Sequence, residues 1–419
     1  MSAAFKSAGV RVLALCSALN LAPGLALNLA LNLALSAALS AALPALAATA
    51  APALLDFTPD ERARILAHGP WPPTVPQDRS NRAERRPAAV AWGRALFFDT
   101  RLSAHGRLSC ASCHQPARSF QDARNIPDLM ETATPGTSAT LHAGQRNTPS
   151  LLGTVHQRWW GWDGAHDSLW AASLAPLLAS AEMGHTLAGL AARVRGAADL
   201  AAGYQRAHRQ PVPEDDEQVA VGVAKALAAW QATLRLPRTP FDDFRDALAR
   251  HDLRAAARYP AAAQRGLRLF VGEGRCFFCH TGPGFSNGEF ADIGMPFFVP
   301  GGVDAGRHQG LLQLQSSAYT RLGRHNDVGA ADPRAVATRH VVLEPRHFGE
   351  FKVPGLRQLI RSAPYMHNGS LATLQDVVQH YSALNEERLH ADGERILRPL
   401  HLDAGQRADL EAFLRSLSR

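Results

Sequence analysis

Val219, Val223, Leu227, Trp230 and Leu234 recur at near-helical spacing behind an acidic start and stop before Pro237, which predicts a helix. Near the C-terminus, Leu410, Phe413, Leu414 and Leu417 share one apolar face, and Asp403 stands where it can cap that helix. Two shorter runs match one another: Gly93-Arg94-Ala95-Leu96-Phe97 and Gly266-Leu267-Arg268-Leu269-Phe270. Both read as helix ends, the second helix opened by Pro260 near its first turn. The chain thus repeats one plan, an early amphipathic helix and a later closing helix in each half, with a join near residues 236–258. Strand signals are few. Residues 281–350 are rich in Gly, Pro and Arg with little periodicity, which predicts a long ordered loop. The polar, Pro/Arg-rich residues 48–87 read as a segment wrapping the surface.

The first 47 residues stand apart from this plan. Lys6 and Arg11 precede a long Ala/Leu stretch that ends at Ala45-Leu46-Ala47, the layout of an export signal with a small-residue cleavage site. The stretch is longer than a usual signal core, so an uncleaved membrane anchor is the competing reading. Roughly 370 residues remain, enough for two domains. The formal charge of +7 loses Lys6 and Arg11 with the leader. The basic residues are mostly arginine and scattered, with no run resembling a nucleic-acid patch, so nucleic acid is not an expected partner. Such a charge can steer an exported protein towards an acidic partner.

Of five cysteines, Cys16 lies in the leader and the rest form two identical patterns. Cys110-Ala111-Ser112-Cys113-His114 and Cys276-Phe277-Phe278-Cys279-His280 are both Cys-x-x-Cys-His. In this pattern the thiols add to the two vinyl groups of a haem, and the adjacent histidine takes an axial position on the iron. Two copies predict two covalently attached haems c, with His114 and His280 as proximal ligands. Outside the leader no thiol is left for a disulfide, so packing and haem burial must supply stability. The fold expected is mainly α: two cytochrome c-like haem domains in tandem, residues 88–257 and 258–419, with long ordered loops. Haem attachment and the leader together place the protein in the periplasm.

The residues between and after these motifs resemble the bacterial di-haem cytochrome c peroxidase and MauG family. The resemblance rests on Arg146-Asn147-Thr148-Pro149-Ser150-Leu151, Trp162-Asp163-Gly164, Glu182-Met183, Phe351-Lys352-Val353-Pro354-Gly355-Leu356-Arg357 and Ala363-Pro364-Tyr365-Met366-His367-Asn368-Gly369. These fall in the family's order across residues 88–418.

The resemblance implies a role for each matching residue. The family's sixth ligand of the C-terminal haem lies fourteen residues after the histidine of Pro-Tyr-x-His, which here is Tyr381, counted from His367. Tyrosine there marks MauG-like members and methionine the electron-shuttling peroxidases. A phenolate favours high-valent iron, whereas methionine raises the potential. His380 and His367 are the competing ligands. At the N-terminal haem, His142 and Met130 are the candidates for a closing ligand, and an open or water-bound iron is the preferred reading. Glu182 matches the distal glutamate that moves protons during O–O cleavage, and a surface glutamate is the alternative. The family's pocket glutamine, ten residues earlier, is replaced by Ala172. Trp162 matches the tryptophan between the haems, an electron or hole relay rather than packing alone. Asn147, Ser362 and Pro364 fall where the family binds calcium, the last two through backbone carbonyls. MauG's surface tryptophan two residues before the second motif is Gly274 here. The block Trp160-Gly161-Trp162-Asp163-Gly164, followed by Asp167-Ser168-Leu169-Trp170, looks closer to MbnH-type relatives, which modify tryptophan in a copper-associated partner; Trp159, Trp160 and Trp170 are alternative relay sites, with core packing the default.

The expected activity is therefore reaction with hydrogen peroxide, followed by use of a high-valent di-haem state to oxidise a side chain of a secreted or periplasmic partner, tryptophan foremost. Two alternatives remain: a peroxidase reducing peroxide with electrons from a small cytochrome or cupredoxin, and a non-catalytic electron-transfer cytochrome. A membrane enters only if the leader is uncleaved.

Overall fold

The computed structural model describes residues 54–122, 146–299, 302–393 and 395–419. The leader, Met130 and His142 lie outside the described residues. Helices of eight or more residues are numbered here in chain order. They are α1 (Pro59–Leu66), α2 (Pro87–Phe97), α3 (Leu169–Leu178), α4 (Leu187–Gly196), α5 (Ala198–His208), α6 (Asp216–Gln231), α7 (Pro240–Ala249), α8 (Ala261–Val271), α9 (Arg307–Ser316), α10 (Leu374–Ser382) and α11 (Ala404–Ser416). Strand structure is confined to short antiparallel pairs: Phe290–Ala291 (β1) with Phe351–Lys352 (β4), and Phe298–Val299 (β2) with Gly302–Val303 (β3). The molecule is mainly α-helical. Among the described residues no helix is long and apolar enough to cross a membrane.

Two apolar cores organise these elements. The first is built on α6, whose residues 219–231 are all buried, so that α2, α3, α4 and α5 pack around it. Asp215 caps α6 through the Gln218 N–H, and the acidic first turn suits the positive end of the helix. The second core joins α1, α7, α8, α10 and α11 around Phe241, Phe244, Phe270, Phe285 and Phe413. Asp403 and Gln406 form a capping box that opens α11.

The repeated Gly-x-x-x-Phe phrase has the same physical basis in each core. Gly93 of α2 lies against the backbone of α6, where a Cβ would stand 1.9 Å from Ala226 O. Gly266 of α8 lies against α11, where a Cβ would stand 1.9 Å from Asp409 O. Only glycine lets each helix pair approach this closely. The phrase ends on Phe97 and Phe270, whose rings lie 6.4 and 6.5 Å from the His114 and His280 rings.

The structure differs from the sequence reading in three details. Helix α7 and Ala256 pack into the second core, so the second core begins before the expected boundary at 257/258. The segment expected to wrap the surface over 48–87 instead enters both cores: Phe57 and Ile65 are buried in the second, and Ala83 in the first. The loop expected over 281–350 contains α9, held by Leu311 and Leu314 against Trp159. Its two apolar anchors are too few to give a periodic signal.

The glycine contacts make a direct prediction. Gly93→Ala or Gly266→Ala should each destabilise the protein by about 3 kcal/mol, at the upper end of overpacking costs. Denaturant unfolding followed by circular dichroism measures this; a loss within the ordinary surface range of about 0.5 kcal/mol would mean the helices separate freely.

Candidate functional site

Each Cys-x-x-Cys-His motif is a single turn whose histidine is fixed from behind. The His114 N–H donates to Cys110 O (2.9 Å) and the His280 N–H to Cys276 O (2.8 Å). Nδ1 of His114 lies 3.0 Å from Phe120 O, and Nδ1 of His280 lies 3.0 Å from Phe285 O. A carbonyl accepts only from an N–H, so each Nδ1 carries the proton and each Nε2 lone pair is left for a metal. Both acceptor phenylalanines have left-handed backbones, with φ of +59° at Phe120 and +57° at Phe285. That conformation is uncommon for a non-glycine residue, and here it turns each carbonyl back onto its histidine. Burial pushes both imidazoles below their ordinary pKa and keeps them neutral, the ligating form.

None of Cys110, Cys113, Cys276 and Cys279 is joined in a disulfide. A cavity of about 1440 Å³ borders Cys279 and Phe278. Cysteine pairs beside histidines with available Nε2 atoms are the arrangement that covalent haem attachment requires.

The two surroundings differ. Glu182 sits in the turn after α3, where its N–H donates to Ala179 O (3.0 Å) and the Met183 carbonyl accepts from Ala104 N–H (2.8 Å). Glu182 is exposed, yet the protein packed around its carboxyl raises it above the ordinary range, and its charge is felt at Cys110. Glu182 therefore lies near the first motif. At the family's glutamine position, Ala172 adds no polar group.

Tyr381 lies on α10, which a Thr373–Asp376 capping box opens. Burial raises its phenol, and the next contributions are the Cys276 and Cys279 thiols, so the phenol lies beside the second motif. The competing histidines are engaged elsewhere. His380 Nε2 meets Ile293 O at 2.8 Å. His367 stacks flat on Phe351, 3.4 Å between centroids, next to Asp304 and Arg146.

Trp162 bridges the halves. Its indole N–H donates to Asn147 O (2.7 Å), and its own carbonyl accepts from Lys352 N–H (2.7 Å). Arg146 braces this node, bonding Asp163 (2.6 Å) and Asp304 (2.7 Å). The other candidate relays differ electronically. Arg307 lies 4.7 Å and Arg158 5.6 Å from the Trp159 ring, and Lys225 lies 5.5 Å from Trp170. A cation held on an indole face is attracted by its electrons, so removing one costs more there. Trp160 is a core residue donating to Thr154 Oγ1 (3.0 Å). Among the described residues no cation lies over Trp162.

Of the calcium candidates, Asn147 and Pro364 are brought together: Asn147 Nδ2 donates to Pro364 O (2.6 Å), and Gln121 Nε2 lies 3.4 Å from the same oxygen. Ser362 Oγ donates to Leu359 O (3.2 Å). Among the described residues no cluster of three acidic, His or Cys groups suits a metal ion.

Sequence reasoning missed the support behind the second motif. His68 Nδ1 lies 3.1 Å from Gly282 O, and its ring stacks on Phe285 at 4.3 Å. Arg357 donates to Pro283 O (2.5 Å) and pairs bidentately with buried Asp242 (2.7 and 2.8 Å). Three carbonyls of the loop after His280 are thus held by His68, Arg357 and His280 itself. Arg357 was visible as the end of a family motif; His68 and Asp242 carried no signal.

A family model described as di-haem cytochrome c peroxidase matches residues 87–249. Methylamine utilization protein MauG of Methylorubrum extorquens is 31% identical over 372 residues, which span 88% of each chain. The chain belongs to the di-haem cytochrome c peroxidase and MauG family. Cytochrome-c peroxidase IdrP1 of Pseudomonas sp. (strain SCT) is 29% identical over 361 residues, 83% of this chain and 85% of the relative. Among solved structures, a MauG-like protein associated with microbial copper homeostasis matches with TM-score 0.59 at 25% identity, covering 84% of this chain and 95% of its own. As a di-haem cytochrome c peroxidase and MauG family member, the chain is an oxidoreductase carrying two c-type haems.

Tyr381 offers a clean check of the second site. Tyr381→Phe should alter the absorption and electron paramagnetic resonance of the low-spin haem while haem content stays unchanged. An unaltered low-spin signal would remove Tyr381 as an iron ligand.

Proposed function

We propose that this chain is a periplasmic, peroxide-activated enzyme that oxidises a side chain of a partner protein, tryptophan foremost, in the manner of MauG and MbnH-type relatives. The observation that carries this reading is the phenol of Tyr381 beside the second motif's thiols, with His380 bonded to Ile293 O and His367 stacked on Phe351. The haems supply the redox chemistry: an iron with an open position binds peroxide, and an iron closed by six ligands stores or passes an electron.

The chain's own residues do the rest. His114 Nε2 would hold the first iron, and Glu182 would take the proton of incoming peroxide and return one to the outer oxygen. His280 and Tyr381 would hold the second iron. Trp162, bonded to both halves, relays charge between the sites. Its N–H faces a backbone carbonyl, which cannot take the proton, so the indole serves as a relay and not as a proton-releasing end point. The cations over Trp159 and Trp170 disfavour oxidation there. The partner is a secreted protein, and the copper-associated relative supports a partner of that class. A calcium ion at Asn147, Ser362 and Pro364 would require Asn147 to turn its amide oxygen towards the Pro364 carbonyl.

A second reading is supported by the similarity to cytochrome-c peroxidase IdrP1, nearly equal to that with MauG. In it, a small cytochrome or cupredoxin supplies electrons and peroxide is reduced to water.

Adding hydrogen peroxide to the fully oxidised protein separates the two. The proposal predicts a long-lived, doubly oxidised species without prior reduction; a reaction that begins only after one-electron reduction would favour the peroxidase. Glu182 gives a pH signature. Burial raises its pKa, so it is charged only above that raised value, and the peroxide rate should fall as pH drops through it. Glu182→Gln should slow the reaction by about 10²–10⁴-fold and flatten that acidic limb. An unchanged rate and profile would contradict the role.

A further inference from the structure

His68 is fully buried among the rings of Phe241, Phe270 and Phe285, whose centroids lie 6.0, 6.1 and 4.3 Å from its own. Burial lowers its pKa to about 4, so the imidazole is neutral and carries a single N–H. That N–H is on Nδ1, because Nδ1 meets a carbonyl, Gly282 O (3.1 Å). Nε2 is left buried with no partner among the described residues. An unmatched buried acceptor is destabilising, and a phenylalanine in the same aromatic cluster would avoid it. The bond from Nδ1 is the one thing that histidine adds here and phenylalanine lacks.

That bond falls on one end of a turn, and the ring falls on the other. Gly282, with φ of +71°, opens the turn, and its carbonyl also accepts from the Phe285 N–H (3.0 Å). Phe285 ends the turn, and its ring lies 12° from parallel with His68. Phe285 O is the acceptor for His280 Nδ1–H. His68 thus holds both ends of the turn that carries this acceptor. Trp71, three residues on, packs on Arg357 (3.7 Å from Cζ to the ring), and Arg357 Nε holds Pro283 O inside the same turn (2.5 Å). The first motif has a left-handed acceptor too, but not the clamp. The Phe120 N–H bonds Gln115 O (2.8 Å), and its ring meets Phe97 and Trp230 edge-on. Among the described residues no imidazole stacks on Phe120.

We propose that His68 is a positioning residue for the second haem: by clamping the Gly282–Phe285 turn it keeps Phe285 O on His280 and so sets the donor strength of that axial imidazole. A carbonyl held firmly on Nδ1–H makes the ring a stronger donor at Nε2. A stronger donor favours ferric iron and lowers the midpoint potential. The inference rests on haem attachment at the second motif and not on which reaction the enzyme performs.

The test compares two variants of the holoenzyme at full haem content. His68→Phe keeps the stack and loses the donor, whereas His68→Asn keeps a donor and loses the stack. Spectroelectrochemical titration and electron paramagnetic resonance read both haems. In His68→Phe the second haem's midpoint should rise and its low-spin signal should shift, with the first haem's midpoint and signal unchanged. His68→Asn should give a smaller rise, because a donor is restored. If His68→Phe does not fold, His68→Leu against His68→Asn carries the same comparison. A second midpoint and low-spin signal that stay at wild-type values in His68→Phe, even with a lowered melting temperature, would make the residue purely structural and overturn the proposal. An equal shift at both haems would overturn it too, as would a rise in His68→Asn as large as in His68→Phe.

Discussion

The structure depends on one hydrogen bond made twice: a motif histidine donating Nδ1–H to the carbonyl of a phenylalanine in the left-handed conformation. That bond sets the tautomer, aims Nε2 and fixes the ring plane. The uncommon backbone at Phe120 and Phe285 must be held by the surrounding packing. In each half that packing begins with a helix whose glycine presses against the closing helix and whose phenylalanine reaches the histidine ring. Helix crossing, loop turn and axial ligand are therefore one mechanical chain, present in both cores.

Function comes from where the two copies part. Behind His280 the loop is locked by His68, Arg357 and the buried Arg357–Asp242 pair; breaking such a pair costs about 3–5 kcal/mol because a charge is left unmatched. Near the second motif's thiols is the half-buried phenol of Tyr381. Near the first motif is Glu182, a carboxyl without a partner cation among its perturbing groups. In the proposed reading, the second site closes its iron and the first handles protons, with Trp162 relaying charge between them.

Much of this was legible in the sequence because covalent chemistry dictates spacing. The Cys-x-x-Cys-His motifs named four thiols and two ligands outright, and a count from His367 reached Tyr381. The helical plan followed from apolar periodicity in α6 and α11. The repeated glycine was visible as a repeat, but its reason, contact with a backbone far along the chain, was not. His68 and Asp242 were invisible because their partners lie 214 and 115 residues away. Helix α7 fell within the expected join, and its place in the second core was not legible for a related reason: an apolar face records that a helix packs, not against which neighbour. Helix α9 escaped notice because only Leu311 and Leu314 anchor it.

The central claim is that the two haem sites are unequal, one iron open and one closed. Electron paramagnetic resonance of the fully oxidised holoenzyme tests it most directly. The account predicts one high-spin and one low-spin ferric haem in equal amounts. Two low-spin haems, in both the oxidised and the reduced protein, would contradict it.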